Sequence, residues 1–151
     1  MQTNEQLLDL LENYLAQREL PTEPERLYDP IRYSLAGGGK RLRPMLLLLS
    51  CGLFADDVDV ALPAAAAVEI FHNFTLLHDD IMDNAAVRRG KPSVYARWGG
   101  NVAILSGDAM LISAYRLLAQ APPALLPRIL EVFNTMALGV CEGQQLSLIH
   151  I

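Results

Sequence analysis

The sequence predicts an all-α fold. Three observations carry that prediction. Apolar residues recur at three- and four-residue steps along nearly the whole chain, the breaks fall at Pro and Gly clusters, and β-branched alternation is nowhere sustained. Leu7, Leu8, Leu11, Tyr14 and Leu15 mark a first helix behind a Thr3-x-x-Gln6 capping-box signature. Pro21, Pro24 and Pro30 punctuate a short second helix, which Gly37-Gly38-Gly39 stops, since three glycines suit a tight turn and not a helix interior. Arg43-Pro44 opens a third helix, running through Leu46–Leu49 and ending near Phe54. Asp56 or Asp57 is expected to cap a long helix through Ala64–Ala67 to about Asp83, with a kink at Pro63. Gly90-Lys91-Pro92-Ser93 reads as a turn, and Val94–Trp98 as a short amphipathic piece leading to Gly99-Gly100. A helix from about Asn101 to Leu118 follows, and Pro122-Pro123 separates it from a last one starting near Ala124. No strand is expected, and there is no internal repeat or low-complexity linker.

Composition narrows the function. The 151 residues are 52% hydrophobic and 19% charged, which excludes a disordered chain. A net charge of −5, from 17 acidic against 12 basic residues, argues against nucleic acid as a partner. Cys51 and Cys141 are too few for a disulfide framework, so the expected location is cytoplasmic. No signal peptide is apparent. The longest apolar stretch, Met45 to Ala55, is interrupted by Ser50 and falls short of the ~20 residues of a transmembrane segment. The hydrophobic fraction is nonetheless high for a small domain, pointing to apolar surface that a partner or further chain would cover.

Three clusters can carry chemistry. In Gly37-Gly38-Gly39-Lys40-Arg41-Leu42-Arg43-Pro44, three cations follow a flexible turn at a helix N-terminus, where free N–H groups and the dipole favour a phosphate or diphosphate. The spacing is not that of a Walker A loop. On the long helix, Asp79 and Asp83 are four residues apart and share a face, with Cβ atoms about 5–6 Å apart. No cation four residues away offsets them, and they sit where the helix dipole disfavours negative charge. A hard divalent cation would resolve the repulsion, and Mg²⁺ takes one or two carboxylates plus substrate phosphates. His72 returns to the same face about 10 Å from Asp79 along the axis. Val87-Arg88-Arg89-Gly90 adds a cationic turn whose guanidinium forks suit diphosphate. Each cluster alone is also what a solvated surface carries; two cationic clusters around one acidic cluster is what metal-bridged diphosphate binding needs. His78, about 100° from the Asp79 direction, is expected to be packed or to support the site from behind, and Cys51 and the Met and Phe residues at 132–138 to be core.

Together these motifs resemble the trans-type polyprenyl (isoprenyl) diphosphate synthases, the polyprenyl synthetase family. The resemblance rests on GGGKRLRP at 37–44, FHNFTLLHDDIMD at 71–83, RRGKPSV at 88–94 and AILSGDAML at 103–111, and covers the chain from about Tyr28 onward. It implies an all-helical isoprenoid-synthase bundle around a central cavity, usually in a homodimer. It further implies that Lys40, Arg43, His72 and Arg89 hold isopentenyl diphosphate and that Arg88 contacts an allylic diphosphate. Asp79 and Asp83, with Asp80 in the same cluster, would hold Mg²⁺. The implied reaction lengthens an allylic diphosphate through an allylic carbocation, with no side chain as nucleophile. Bulk before the aspartates limits product length in the family, so Phe74 and Thr75 become the chain-length pocket and a C15–C20 product is expected. Helix arithmetic places Thr75 under Asp79 but turns Phe74 about 140° away, so the role of Phe74 rests on the resemblance alone.

Two features depart from the family pattern. No second aspartate-rich motif follows Asp108, and Gly143-Gln144-Gln145-Leu146-Ser147 lacks the usual acid. The expectation is a single partial domain over 1–151, the N-terminal half of a synthase domain and inactive alone, with 147–151 a non-native tail. The competing readings are a non-catalytic diphosphate-binding subunit of a heteromeric synthase and a structural helical module.

Overall fold

Capping chemistry starts the first helix where the sequence places it. In this computed structural model, which describes residues 2–149, helix α1 spans Asn4–Ala16. Thr3 Oγ1 accepts the Gln6 N–H at 3.2 Å and Gln6 Oε1 accepts the Thr3 N–H at 2.9 Å, a reciprocal box that satisfies two otherwise free donors. Helix α2 (Glu25–Leu35) stops before the glycines, and α3 (Leu42–Gly52) begins one residue ahead of the expected Arg43.

The long helix differs from expectation at its start. Neither Asp56 nor Asp57 caps it. Asp57 Oδ1 instead accepts the Asp59 N–H at 2.9 Å, ahead of a 3₁₀ turn over Asp59–Ala61, and α4 runs Leu62–Met82. Pro63 therefore occupies the first turn, where a missing N–H removes no helical bond. Strand β1 (Val87–Arg88) pairs antiparallel with β2 (Lys91–Pro92), a two-residue ladder in a chain where no strand was expected. Arg89 (φ 52°) and Gly90 (φ 76°) both turn left-handed, the pairing that closes a tight hairpin; a single non-glycine residue hides this signal from sequence. Ser93 caps α5 (Val94–Trp98), accepting the Ala96 N–H, and α6 (Gly100–Leu118) and α7 (Leu126–Ile149) complete the chain.

Helix α4 is the shared wall of two cores. On one side Ala66, Ala67, Ile70 and Phe71 pack against Ala103, Met110, Ala114 and Leu117 of α6, with Ile31, Val94 and Phe133 closing the ends. On the other, Leu62 and Ala65 meet Leu7 and Leu11 of α1 and Leu48 of α3. Alanines with no exposed surface let the helices approach closely and bury their neighbours, at roughly 25 cal/mol per Å² of apolar area. The 59–82 segment is, by length and composition alone, apolar enough to cross a membrane, and in that respect exceeds the 45–55 run. In the structure it is the central helix, half of it buried inside the bundle.

Helix α7 stands apart. Phe133 is its one buried residue among those described, seated against Phe71 and Tyr115. Met136, expected in the core, is 37% exposed because only the Phe133 side of α7 meets the bundle. Cys51 is half-buried and Cys141 exposed, both free thiols. Of the residues expected to form a foreign tail, 147–149 continue α7, and His150 and Ile151 lie outside the described residues.

Candidate functional site

The first cationic cluster divides in two. Arg41 adopts the left-handed conformation (φ 47°, ψ 28°) as N-cap of α3, and its side chain turns inward to 8% exposure while Lys40 and Arg43 stay exposed. Its Nη1 donates to Glu69 Oε1 at 2.6 Å, its Nε to Glu12 Oε1 at 2.8 Å and its Nη2 to the Leu35 carbonyl at 3.4 Å. Burial, the largest single influence, pulls the Arg41 pKa down, but the bonds and charges of Glu12 and Glu69 outweigh it and hold it above the ordinary value. The three cations counted in sequence are thus two at the surface and one structural ion. Glu69 was present in the sequence as an isolated acid in an apolar run, a pattern that demands a buried partner.

Arg43 and His72 meet across the gap between α3 and α4, with Arg43 Nη1 3.4 Å from His72 Nε2. Arg89 reaches the same place from the hairpin. A Cβ built on Gly39 would stand 3.1 Å from Arg89 Nη2 and 3.2 Å from Nη1, so the guanidinium lies directly against the glycine backbone. His72 registers this crowding. Its pKa is lowered, first by burial and then by Arg43, with Arg89 and Arg88 adding to the shift and Glu69 opposing it. The neutral imidazole is thereby favoured, and an arriving anion would be met by the surrounding guanidinium groups.

The acidic cluster also divides. Asp79 is half-buried and Asp83, the C-cap of α4, is exposed. Burial, and then the Asp83 charge beside it, push the Asp79 carboxyl above its ordinary range, while Arg88 pulls the other way. Asp80 does not join them. It is 3% exposed, and its Oδ1 accepts from Arg88 Nε at 3.0 Å and Nη2 at 2.6 Å. That hydrogen bond is the main reason the Arg88 pKa is raised. Arg88 keeps 39% of its side chain in solvent, facing Asp79 and Asp83 electrostatically as well as His72.

Mg²⁺ fits Asp79 and Asp83, two hard oxygen donors whose repulsion no protein cation closes. Asp80 differs from them in that its Oδ1 already accepts two hydrogen bonds from Arg88. Among the described residues no three His, Cys, Asp or Glu side chains converge into a complete cage. Two carboxylates with the remaining positions left to phosphate and water is the arrangement Mg²⁺ favours.

Phe74 packs between Phe71 (ring centroids 5.5 Å) and His78 (4.6 Å), while Thr75 turns its hydroxyl back to donate to the His72 carbonyl at 2.8 Å. His78 is packed, as expected: its ring lies over Gly107 of α6, where an added Cβ would fall 2.3 Å from Nε2. A larger groove between α1, α2 and α6, lined by Glu12, Leu20, Ile112 and Arg116, takes in Arg41 but none of the other predicted site residues.

Comparison with known proteins identifies the family. Residues 24–150 match the Polyprenyl synthetase family. A geranylgeranyl diphosphate synthase of Methanosarcina mazei is 43% identical over 129 residues, covering 84% of this chain and 40% of the relative. A short chain isoprenyl diphosphate synthase of Methanocaldococcus jannaschii is 41% identical over 125 residues, covering 82% and 38%. The crystal structure of a geranylgeranyl pyrophosphate synthase superposes with a TM-score of 0.92 at 50% identity, covering 96% of this chain and 44% of that one. The chain thus spans about 40% of the length of the curated relatives it matches. With the family match covering most of its length and its bundle superposing on a solved relative, the chain belongs to the polyprenyl synthetase family.

Proposed function

We propose that this chain forms the diphosphate-binding half of a prenyltransferase, which condenses isopentenyl diphosphate with an allylic diphosphate to a C15–C20 trans-polyprenyl diphosphate. The observation that carries the reading is the arrangement on α4: a cationic cluster around His72 and an aspartate pair two turns on, with Arg88 acting on both. Lys40, Arg43, His72 and Arg89 bind the diphosphate of isopentenyl diphosphate, their cations neutralising it and the neutral imidazole offering a hydrogen bond. Arg88 holds the allylic diphosphate, and Asp79 and Asp83 hold Mg²⁺. When bound, Mg²⁺ stabilises the negative charge that develops on the leaving diphosphate. Arg88 adds a charge-assisted hydrogen bond to the same group, directed by its anchor on Asp80.

The rest of the chemistry is orientation. Fixing the two substrates on neighbouring clusters brings the isopentenyl double bond to the carbon that loses diphosphate, and the product then gives up a proton to the released diphosphate. The apolar side chains of α4 and α6 exclude water that would quench the cation. Phe74, braced by Phe71 and His78, bounds the space for the growing chain. A cytoplasmic, homodimeric protein completes the proposal, in keeping with its sparse free cysteines and the exposed apolar residues of α6 and α7.

The test is Mg²⁺-dependent incorporation of labelled isopentenyl diphosphate by the full-length gene product, with Asp79→Ala as the control. Turnover lost in the variant is expected. Full turnover in Asp79→Ala would overturn the metal assignment, and diphosphate binding without turnover in the wild type would replace the enzyme with a binding subunit.

A further inference from the structure

Two rungs join α4 to the start of α3. The outer one is Arg43 against His72; the inner one is Arg41 against Glu69, one helical turn earlier on the same helix. The inner rung is almost wholly buried, with side-chain exposures of 8% and 3%. Every Arg41 nitrogen is also engaged, with an acceptor on α1 (Glu12), on α4 (Glu69) and at the end of α2 (the Leu35 carbonyl). Glu69 Oε1 accepts in addition from Asn73 Nδ2 at 2.9 Å, and Asn73, itself buried, donates to the Glu69 carbonyl as well. The network is directed inward, between helices, and not toward the exposed Lys40 and Arg43.

We propose that the Arg41–Glu69–Asn73 network is a positioning device for the diphosphate site: it fixes how Lys40, at the end of the loop, and Arg43, in the first turn of α3, are presented. The backbone supports this role. Arg41 is a non-glycine residue held left-handed between Lys40 and Leu42, a conformation that L side chains disfavour and that persists only when the surroundings impose it. The flanking segment is Gly37-Gly38-Gly39, which has little stiffness of its own. Three anchors from three helices on one planar guanidinium therefore define the loop's orientation. An apolar pair of similar volume would fill the space but point nowhere, since dispersion contacts are not directional, whereas the guanidinium fork is. Buried ion pairs are often replaceable by apolar pairs without loss of stability, so stability alone gives no reason for this one.

The inference rests on the reading of Lys40 and Arg43 as diphosphate ligands, and the experiment separates the two. In the full-length gene product, Arg41→Met combined with Glu69→Leu removes both charges without orphaning either. Expected are a melting temperature close to wild type, a KM for isopentenyl diphosphate raised about tenfold, a kcat and allylic-substrate KM little changed, and amide exchange across 37–43 accelerated about tenfold. A folded double variant with unchanged KM and unchanged loop exchange overturns the proposal. If the wild type neither binds nor turns over isopentenyl diphosphate, the functional reading fails, and loop exchange alone decides the positioning role. Should the double variant not fold, Arg41→Lys keeps the charge and loses the fork; a several-fold rise in KM supports the proposal and an unchanged KM defeats it.

Discussion

Replacing Asp79 with Asn removes one of two adjacent carboxylates while keeping the side chain's size. In the metal-free protein the change is expected to stabilise the fold. Carboxylates about 6 Å apart repel by about 0.7 kcal/mol in bulk water and about 3 kcal/mol at an effective dielectric of 20. Asp83 is exposed and Asp79 half-buried, so screening keeps the interaction near the lower figure. The C-terminal end of α4 adds roughly 0.3–1 kcal/mol against the charge, and lost attraction to Arg88 returns part of the gain. The net expectation is about 1 kcal/mol, or about 2–4 °C in melting temperature for a chain of this size. The pH dependence follows from the raised Asp79 pKa. Wild type keeps its stability below the unfolded carboxylate range near 4 and loses it as pH rises through the higher folded value, because the folded state holds the proton more tightly. The Asn variant lacks that loss, so the two melting curves separate at neutral pH and converge in acid. With Mg²⁺ and inorganic diphosphate added, the order should reverse, since only wild type gains from binding. Thermal denaturation in EDTA and then in Mg²⁺ measures both arms. A variant less stable than wild type in EDTA at neutral pH, or a gain that persists in acid, refutes the reasoning.

Arg88→Ala leaves the buried Asp80 without its partner; shared solvent on the arginine side reduces the usual penalty to about 2 kcal/mol, a fall of about 4–8 °C, read by calorimetry and partly recovered in Arg88→Ala/Asp80→Ala. Gly39→Ala pushes the Arg89 guanidinium aside and should weaken diphosphate binding several-fold with little change in melting temperature. Gly38→Ala, at φ +70° with open space around it, should do the reverse, losing about 1 kcal/mol of stability but keeping affinity. Phe74→Ala should lengthen the products of the full-length protein, resolved by chromatography, while weakening the packing around Phe71 by about 2 kcal/mol; unchanged products would end its role as a gauge.

The helices were legible because their signals are local. The Thr3–Gln6 box, the triple glycine after α2 and the prolines before α7 act within a few residues, and each boundary they mark falls within two residues of expectation. The start of α4 was misplaced because Asp57 finds a partner two residues on, in Asp59, before any helix forms. The hairpin was missed because Arg89 takes a backbone conformation that its residue type disfavours. Residue types identified the cationic and acidic clusters, but not which members face outward. Arg41 and Asp80 read like their neighbours, and what turns them inward lies elsewhere in the chain: Glu69, 28 residues from Arg41, and Arg88, beyond the end of α4.

Helix α4 also acts as a ruler. Glu69, His72 and Asp79 lie on one continuous helix with Asp83 as its C-cap, so the separation between the His72 cluster and the aspartates is set by a count of residues. A single residue inserted between Asn73 and Asp79 would lengthen the span by only about 1.5 Å but swing one end by about 100° relative to the other. The bundle has ways to absorb the first change and none to absorb the second. This segment should therefore tolerate substitution far better than insertion or deletion.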